Sequence, residues 1–160
     1  HNSVADMIML LAALPQFKYL AKAPIFYVPP IGWHMHLAGY IRAGTGEEND
    51  GARVIDQCRR SFKLGCHILW FPEGHRSDDG EVMRFRNGAF LAAKEAGVKV
   101  VPVAISGTRE LIAKNGLRYN FEGRVQITLL APFEVDGDPK AAARQAREAV
   151  AKQLAAQRAT

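Results

Sequence analysis

Four apolar residues in a row, Ile68-Leu69-Trp70-Phe71, run straight into Pro72 and Gly74, and that junction constrains the fold more than any other stretch of the chain. Its length and composition read as a short buried strand, which proline and glycine end where the backbone must turn sharply. The turn carries charge, since Glu73 and Arg76 flank Gly74 and His75. A guanidinium held at a strand end grips a phosphate or carboxylate in two-point fashion, so this turn is suited to receive an anion.

Helix and strand patterns alternate along the rest of the chain. Asp6 to Leu11 opens an Ala-rich apolar segment that stops before Pro15 and reads as a buried helix beginning near Ser3. Ile25 to Val28 is a strand candidate closed by Pro29-Pro30. From Glu47 to Leu64, Ala52, Val54, Ile55, Cys58 and Phe62 recur at helical spacing, with Gly65 as a C-terminal stop. Gly88 to Ala96 reads as a helix ended by Gly97, and Val98 to Ile105 as a β-branched buried strand. In Arg124 to Leu130 the alternation of Val125, Ile127 and Leu129 predicts a strand with one sheltered face. Asp138 caps a final helix to Gln157, with Pro139 at its first position. Alternating elements of this kind argue for an α/β layered sheet with reactive loops at strand ends.

At 160 residues and 48% apolar content the chain has the size of one domain and the means to bury a core. No repeat, low-complexity tract or charge block marks a linker. Cys58 and Cys66 lack the further cysteines of a secreted disulfide scaffold, so both are expected as free thiols in a reducing compartment, buried as small apolar residues. The uncharged stretch Ala23 to Ile41 nearly reaches membrane-spanning length, but Pro24, Pro29 and Pro30 would break a helix there. Phe26, Tyr27 and Trp33 within it suit an interfacial belt, an acyl-chain lining or ordinary core packing. A net charge of +5 favours anionic partners: phospholipid headgroups, phosphorylated metabolites or nucleic acid. His34 and His36 alternate as a strand would, yet no third ligand at recognisable spacing accompanies them, and no metal site is expected.

The heptapeptide Phe71-Pro72-Glu73-Gly74-His75-Arg76-Ser77 has companions in order along the chain. His1 and Asp6, separated by four residues, precede it, while Phe85-Arg86-Asn87-Gly88-Ala89-Phe90 and the Val101-Pro102 strand follow. Together they resemble the glycerolipid acyltransferase family, whose members carry HxxxxD, FPEGTRS, F-(K/R)-x-G-A-F and a strand with a Val-Pro pair. The resemblance covers residue 1 to about Thr108. It implies one α/β acyltransferase domain over residues 1–160, a mixed β-sheet flanked by helices like that of glycerol-3-phosphate acyltransferase. Because the chain opens on His1 rather than Met, that domain is expected to lack an N-terminal membrane-anchoring segment. The implied activity is O-acyl transfer from acyl-CoA or acyl carrier protein to the hydroxyl of a lysophospholipid, 1-acylglycerol-3-phosphate foremost, in phospholipid biosynthesis. No cofactor is implied beyond the thioester co-substrate. The implied surroundings are the cytoplasmic face of an anionic membrane, with no nucleic acid as partner.

Transfer to a hydroxyl needs a base to take its proton as it attacks the thioester carbonyl, and an imidazole titrates in the useful range. His1 is the candidate base. Asp6, accepting a hydrogen bond from the imidazole, would fix its tautomer and stabilise the imidazolium. Five steps along a regular helix turn through about 500°, so the pair meets only if His1 lies ahead of a helix that Ser3 caps. Ser3 and Asp6 also suit a capping box, with Asp6 complementing the helix dipole.

The resemblance further implies that Glu73, Gly74 and Arg76 bind the acceptor's glycerol phosphate. Glu73 repels phosphate, so it is expected to orient Arg76 or bond a substrate hydroxyl, unless it forms a buried ion pair with Arg76 or Arg86. Two positions depart from the pattern. His75 stands where the family has Thr, and in Gly39-Tyr40-Ile41-Arg42-Ala43-Gly44-Thr45 the terminal Arg is replaced by Thr45, leaving Arg42 as the nearby substitute. Two other readings remain at this level: a catalytically inactive lipid-binding module, and a thioester hydrolase in which water replaces the alcohol.

Overall fold

The computed structural model describes residues 17–43, 50–75, 77, 81–107 and 125–158. The expected helix near Ser3 and the start of the helix from Glu47 lie outside them. Three strands, β1 (Phe17–Ala21), β2 (Ile41–Arg42) and β3 (His67–Leu69), form a parallel sheet in the order β2-β1-β3. Register pairs Tyr19 with Leu69 and Ala21 with Arg42. A second, antiparallel pair joins β4 (Val103–Ser106) to β5 (Gln126–Leu129). Helices α1 (Ile31–Leu37), α2 (Asp50–Lys63), α3 (Gly88–Ala96) and α4 (Pro139–Arg158) complete the α/β layering expected from the alternation.

Side chains alternate across β1 and so divide the core. One face of the sheet, with Leu20, Ile41 and Ile68, is covered by Val54 and Cys58 of α2 and Ala92 of α3. The other face, with Phe17, Tyr19 and Leu69, is covered by Val103 and Ile105 of β4 and Ile127 of β5. Ala21 on that second face also packs with Phe26 and with Met35 of α1. The two crossovers thus place α1 and α2 on opposite faces, as right-handed connections require when the chain runs outward to β2 and back across β1 to β3. Small residues at Ala142, Ala143 and Ala146 let α4 settle close to Phe90 and Ala93 of α3.

Several sequence expectations are met residue for residue. Helix α3 spans Gly88–Ala96 and ends at Gly97 in the left-handed conformation, φ 63°. Helix α4 begins at Pro139, and the Asp138 carboxylate accepts a hydrogen bond from the Lys140 amide at 3.0 Å. Gly65, φ 75°, follows the end of α2.

Others are corrected. Ile25 to Val28 is not a strand: residues Ala23–Tyr27 form a 3-10 helix, in which the Ile25 amide bonds the Lys22 carbonyl and Val28 that of Ile25. Pro24 in its first turn has its φ preset for a helical start and no N–H to offer a ladder. His34 and His36 sit on helix α1, where two residues turn through about 200°, so they share no face. His36 meets Phe26 edge-on at 5.2 Å, and His34 meets Tyr40 at 5.9 Å. Strand β3 starts at His67 and stops at Leu69, leaving Trp70 and Phe71 beyond its end. The run from Val98 becomes a single bridge, Val100 to Phe133, followed by β4 from Val103. Pro102 between them has no N–H for the ladder. In β5 the sheltered side is carried by Ile127, while Leu129 is 54% exposed.

Candidate active site

Parallel sheets present ligands at the carboxyl ends of their strands, and in the order 2-1-3 the crevice opens between the first and third strands, where successive connections leave in opposite directions. In this chain that crevice lies past Ala21 of β1 and past Leu69 of β3, where Phe71, Pro72, Glu73 and Gly74 follow. The topology therefore puts the charged turn of the sequence at the place where an α/β sheet takes its ligand.

The turn is tied down by a neighbouring segment rather than by its own strand. The Glu73 carboxylate is buried and accepts a hydrogen bond from the Met83 amide at 3.1 Å. The Arg86 amide donates to the Pro72 carbonyl at 2.8 Å. Gly74 has φ 76°, and a Cβ there would come within 3.0 Å of the Arg86 guanidinium, so the bare backbone leaves the cation room to lie across the turn. Segment 81–83 is held in its turn by α4. Arg147 donates to the carbonyls of Met83 at 3.1 Å and Val82 at 2.9 Å, and Arg158 pairs with Glu81 at 2.6 Å.

Beside the turn opens a cavity of about 1390 Å³, lined by Trp70, Phe71, Glu73, Phe85, Val101 and Leu129 among others. Its wall is mostly apolar, with Glu73, Glu81, Lys99 and Arg158 among the charged residues set in it, a composition that suits a long apolar ligand with a polar end. Lining it as well is Cys58, 1% exposed, whose thiol burial pushes up to about 11, so it supplies no thiolate near neutrality. The Tyr19 phenol is pushed up to about 12, first by burial and then by Tyr40 at 5.5 Å between ring centroids, and it remains protonated throughout the same range.

Of the residues expected at the site, Glu73 and Gly74 are in the turn as anticipated, and Arg42 ends β2 at the same edge of the sheet. With strands about 4.8 Å apart, β2 and β3 on either side of β1 stand about 10 Å from each other. Arg42 holds its guanidinium 5.4 Å from the centre of the Tyr27 ring, and it does not line the cavity. His1, Asp6, Arg76 and Thr45 lie outside the described residues. Sequence reasoning missed Met83 and Arg147. The contact between Met83 and Glu73 is made by a backbone amide that any residue but proline would provide, and Arg147 reaches its carbonyls across 64 and 65 positions. Among the described residues no group of three or more His, Cys, Asp or Glu is arranged to hold a metal ion.

Comparison with known proteins agrees with this geometry. A family model described as Acyltransferase matches residues 1–106. A 1-acyl-sn-glycerol-3-phosphate acyltransferase of Chlamydomonas reinhardtii is 32% identical over 154 residues, 96% of this chain and 46% of that protein. A lyso-ornithine lipid O-acyltransferase of Pseudomonas aeruginosa is 37% identical over an alignment of 170 positions, 94% of this chain and 64% of that protein. The crystal structure of the 1-acyl-sn-glycerophosphate acyltransferase PlsC from Thermotoga maritima superposes with a TM-score of 0.82 at 24% identity, over all of this chain and 64% of that one, which establishes the shared fold. The chain spans about half the length, or less, of the first curated relatives it matches, 46% of the Chlamydomonas protein and 37% of one from Arabidopsis thaliana.

Proposed function

This chain belongs to the acyltransferase family, and from that premise we propose that it is the catalytic domain, residues 1–160, of an enzyme that acylates the free hydroxyl of a lysophospholipid, 1-acylglycerol-3-phosphate foremost. The observation that carries the reading is the Phe71 to Gly74 turn at the carboxyl edge of the sheet, beside a mostly apolar cavity of about 1390 Å³. The cavity suits a fatty chain, and the turn suits the polar end of the same molecule.

The donor is an acyl thioester, acyl-CoA or acyl carrier protein. In the proposed reaction His1 takes the proton of the acceptor hydroxyl as its oxygen attacks the thioester carbonyl. The carbon–sulfur bond then breaks, the ester remains on the lipid, and the imidazolium returns the proton to the departing thiolate. Asp6 holds the imidazole in the competent tautomer, and Arg76 with Arg42 neutralises the acceptor's anionic end. Direct transfer is the proposed route, since no Ser or Cys of the sequence stands beside the base in a nucleophile signature such as Gly-x-Ser-x-Gly. The reaction takes place against the cytoplasmic face of an anionic membrane.

A second acceptor has a specific observation in its favour. Thr45 replaces the arginine expected of a phosphate-binding segment, and a lyso-ornithine lipid acyltransferase is 37% identical to this chain. A lyso-lipid with an amino-acid headgroup and no phosphate would ask less of that position. The two readings part in one assay: the full-length protein is given a long-chain acyl-CoA with 1-acylglycerol-3-phosphate or with lyso-ornithine lipid, and free thiol and lipid product are followed. Thiol release that depends on an acceptor is the expected result, and the better acceptor decides the headgroup. Release without any acceptor would mean a hydrolase, and no release with retained lipid binding would mean an inactive module.

A further inference from the structure

The sixteen acidic residues of this chain are unevenly placed: between Asp6 and Glu47 there is none, and the charges in that interval are Lys18, Lys22 and Arg42, all positive. Within the interval the 3-10 helix, the turn at Pro29-Pro30 and helix α1 bury Ala23, Phe26, Gly32 and Met35, half-bury Ile25 and leave the rest outside. Tyr27 is 68% exposed, Trp33 64% and Leu37 90%, with Val28 and Ile31 also exposed. Scattered surface apolar residues need no explanation, but five of the eight exposed large apolar side chains among the described residues fall within eleven positions. Trp33 and Leu37 stand one helical turn apart on the same side of α1.

Cations rim the patch. Lys22 immediately precedes the 3-10 helix and is exposed, Arg42 lies over the Tyr27 ring at 5.4 Å, and the Lys18 ammonium lies beside Gly39. We propose that residues 27–37 are the surface by which the protein docks onto an anionic lipid bilayer, with Tyr27, Trp33 and Leu37 among the headgroups and Lys22 against lipid phosphates. Tryptophan and tyrosine are the side chains that favour this interface, apolar in body and polar at one edge. A cation-rimmed segment without acidic residues of its own matches an anionic leaflet and opposes its own copy, which would bring the same positive rim against it. The position serves the chemistry. Arg42 anchors Tyr27 at the carboxyl edge of the sheet, the edge that carries the Phe71 to Gly74 turn, so docking would turn the candidate site toward the leaflet that supplies its lipid. For that purpose, though not for the binding itself, the inference rests on the proposed acyltransferase reading.

The test uses the full-length protein with vesicles of phosphatidylcholine alone or mixed with phosphatidylglycerol. Wild type is expected to co-sediment with the mixed vesicles, less as salt is raised, and its amides over 27–37 should exchange more slowly in their presence. The variant carrying Trp33→Ser and Leu37→Ser should bind at least about tenfold more weakly, with unchanged circular dichroism and unchanged turnover of a short-chain acceptor dispersed in water. Lys22→Glu, which leaves the apolar patch intact, should lose preference for the phosphatidylglycerol vesicles. Wild-type binding by the double variant, no protection of 27–37, or equal affinity for both vesicle types would overturn the proposal. So would a change from dimer to monomer in the double variant, which would assign the patch to self-association, or binding of an acidic carrier protein that competes with vesicles for it. Patch-dependent binding by a protein with no transferase activity would sustain the docking and sink the acyltransferase reading instead.

Discussion

Single atoms decide two positions. Gly32 in α1 lies so close to the 3-10 helix that a Cβ would fall within steric overlap of the Phe26 carbonyl oxygen, a backbone atom that cannot swing aside. Gly32→Ala is expected to lower stability by about 2 to 4 kcal/mol, read as a fall in the urea midpoint with little change in slope. Cys58 offers a pH signature. Burial raises its thiol from 9.0 to about 11, so below pH 9 folded and unfolded chains hold the same proton and the group is silent. Above that, the unfolded chain loses the proton first, and stability falls as pH climbs from about 9 to 11, by on the order of 2 kcal/mol. Comparison of urea midpoints for wild type and Cys58→Ala across that range should show the extra slope in wild type alone. The Tyr19 phenol, raised to about 12, adds a loss of the same sign above pH 10 in both proteins.

Helix α4 shows how a distant element supports the site. Through Arg147 it fixes the carbonyls of Val82 and Met83, and the Met83 amide fixes Glu73. Arg147→Ala should cost about 1 to 3 kcal/mol in stability and raise the acceptor KM several-fold with kcat nearly unchanged, while Arg147→Lys restores part of the KM. An effect confined to stability would make the arginine structural only. Elements set by local chemistry were legible in the sequence. Helix α3 and its Gly97 stop, the Asp138 cap with Pro139, and the turn at Pro72 to Gly74 each depend on the residues in place. What was not legible is decided at a distance or between close alternatives. Ile25 to Val28 has the composition of a strand, but Pro24 and packing of Phe26 against Met35 favour a helical turn. The alternation of His34 and His36 pointed to a period of two where a seven-residue helix forms. The hold of Arg147 on segment 82–83 has no local signal at all.

At the scale of the whole molecule, charge, topology and site face one way. The acid-free interval from Met7 to Gly46 follows the HxxxxD motif and carries the exposed apolar residues, and within it β2 brings Arg42 to the edge where the anion turn sits. The proposed acylation of a lysophospholipid would need this alignment, since a lipid acceptor arrives from a surface. The central claim is that the imidazole at the start of the chain is the base for acyl transfer at that edge. It is tested most directly by acceptor-dependent thiol release from acyl-CoA, measured for the full-length protein with and without His1→Ala. The account predicts a loss of roughly 10²- to 10⁴-fold in kcat, with the melting temperature and vesicle binding of the variant unchanged. A variant that keeps wild-type turnover would contradict it.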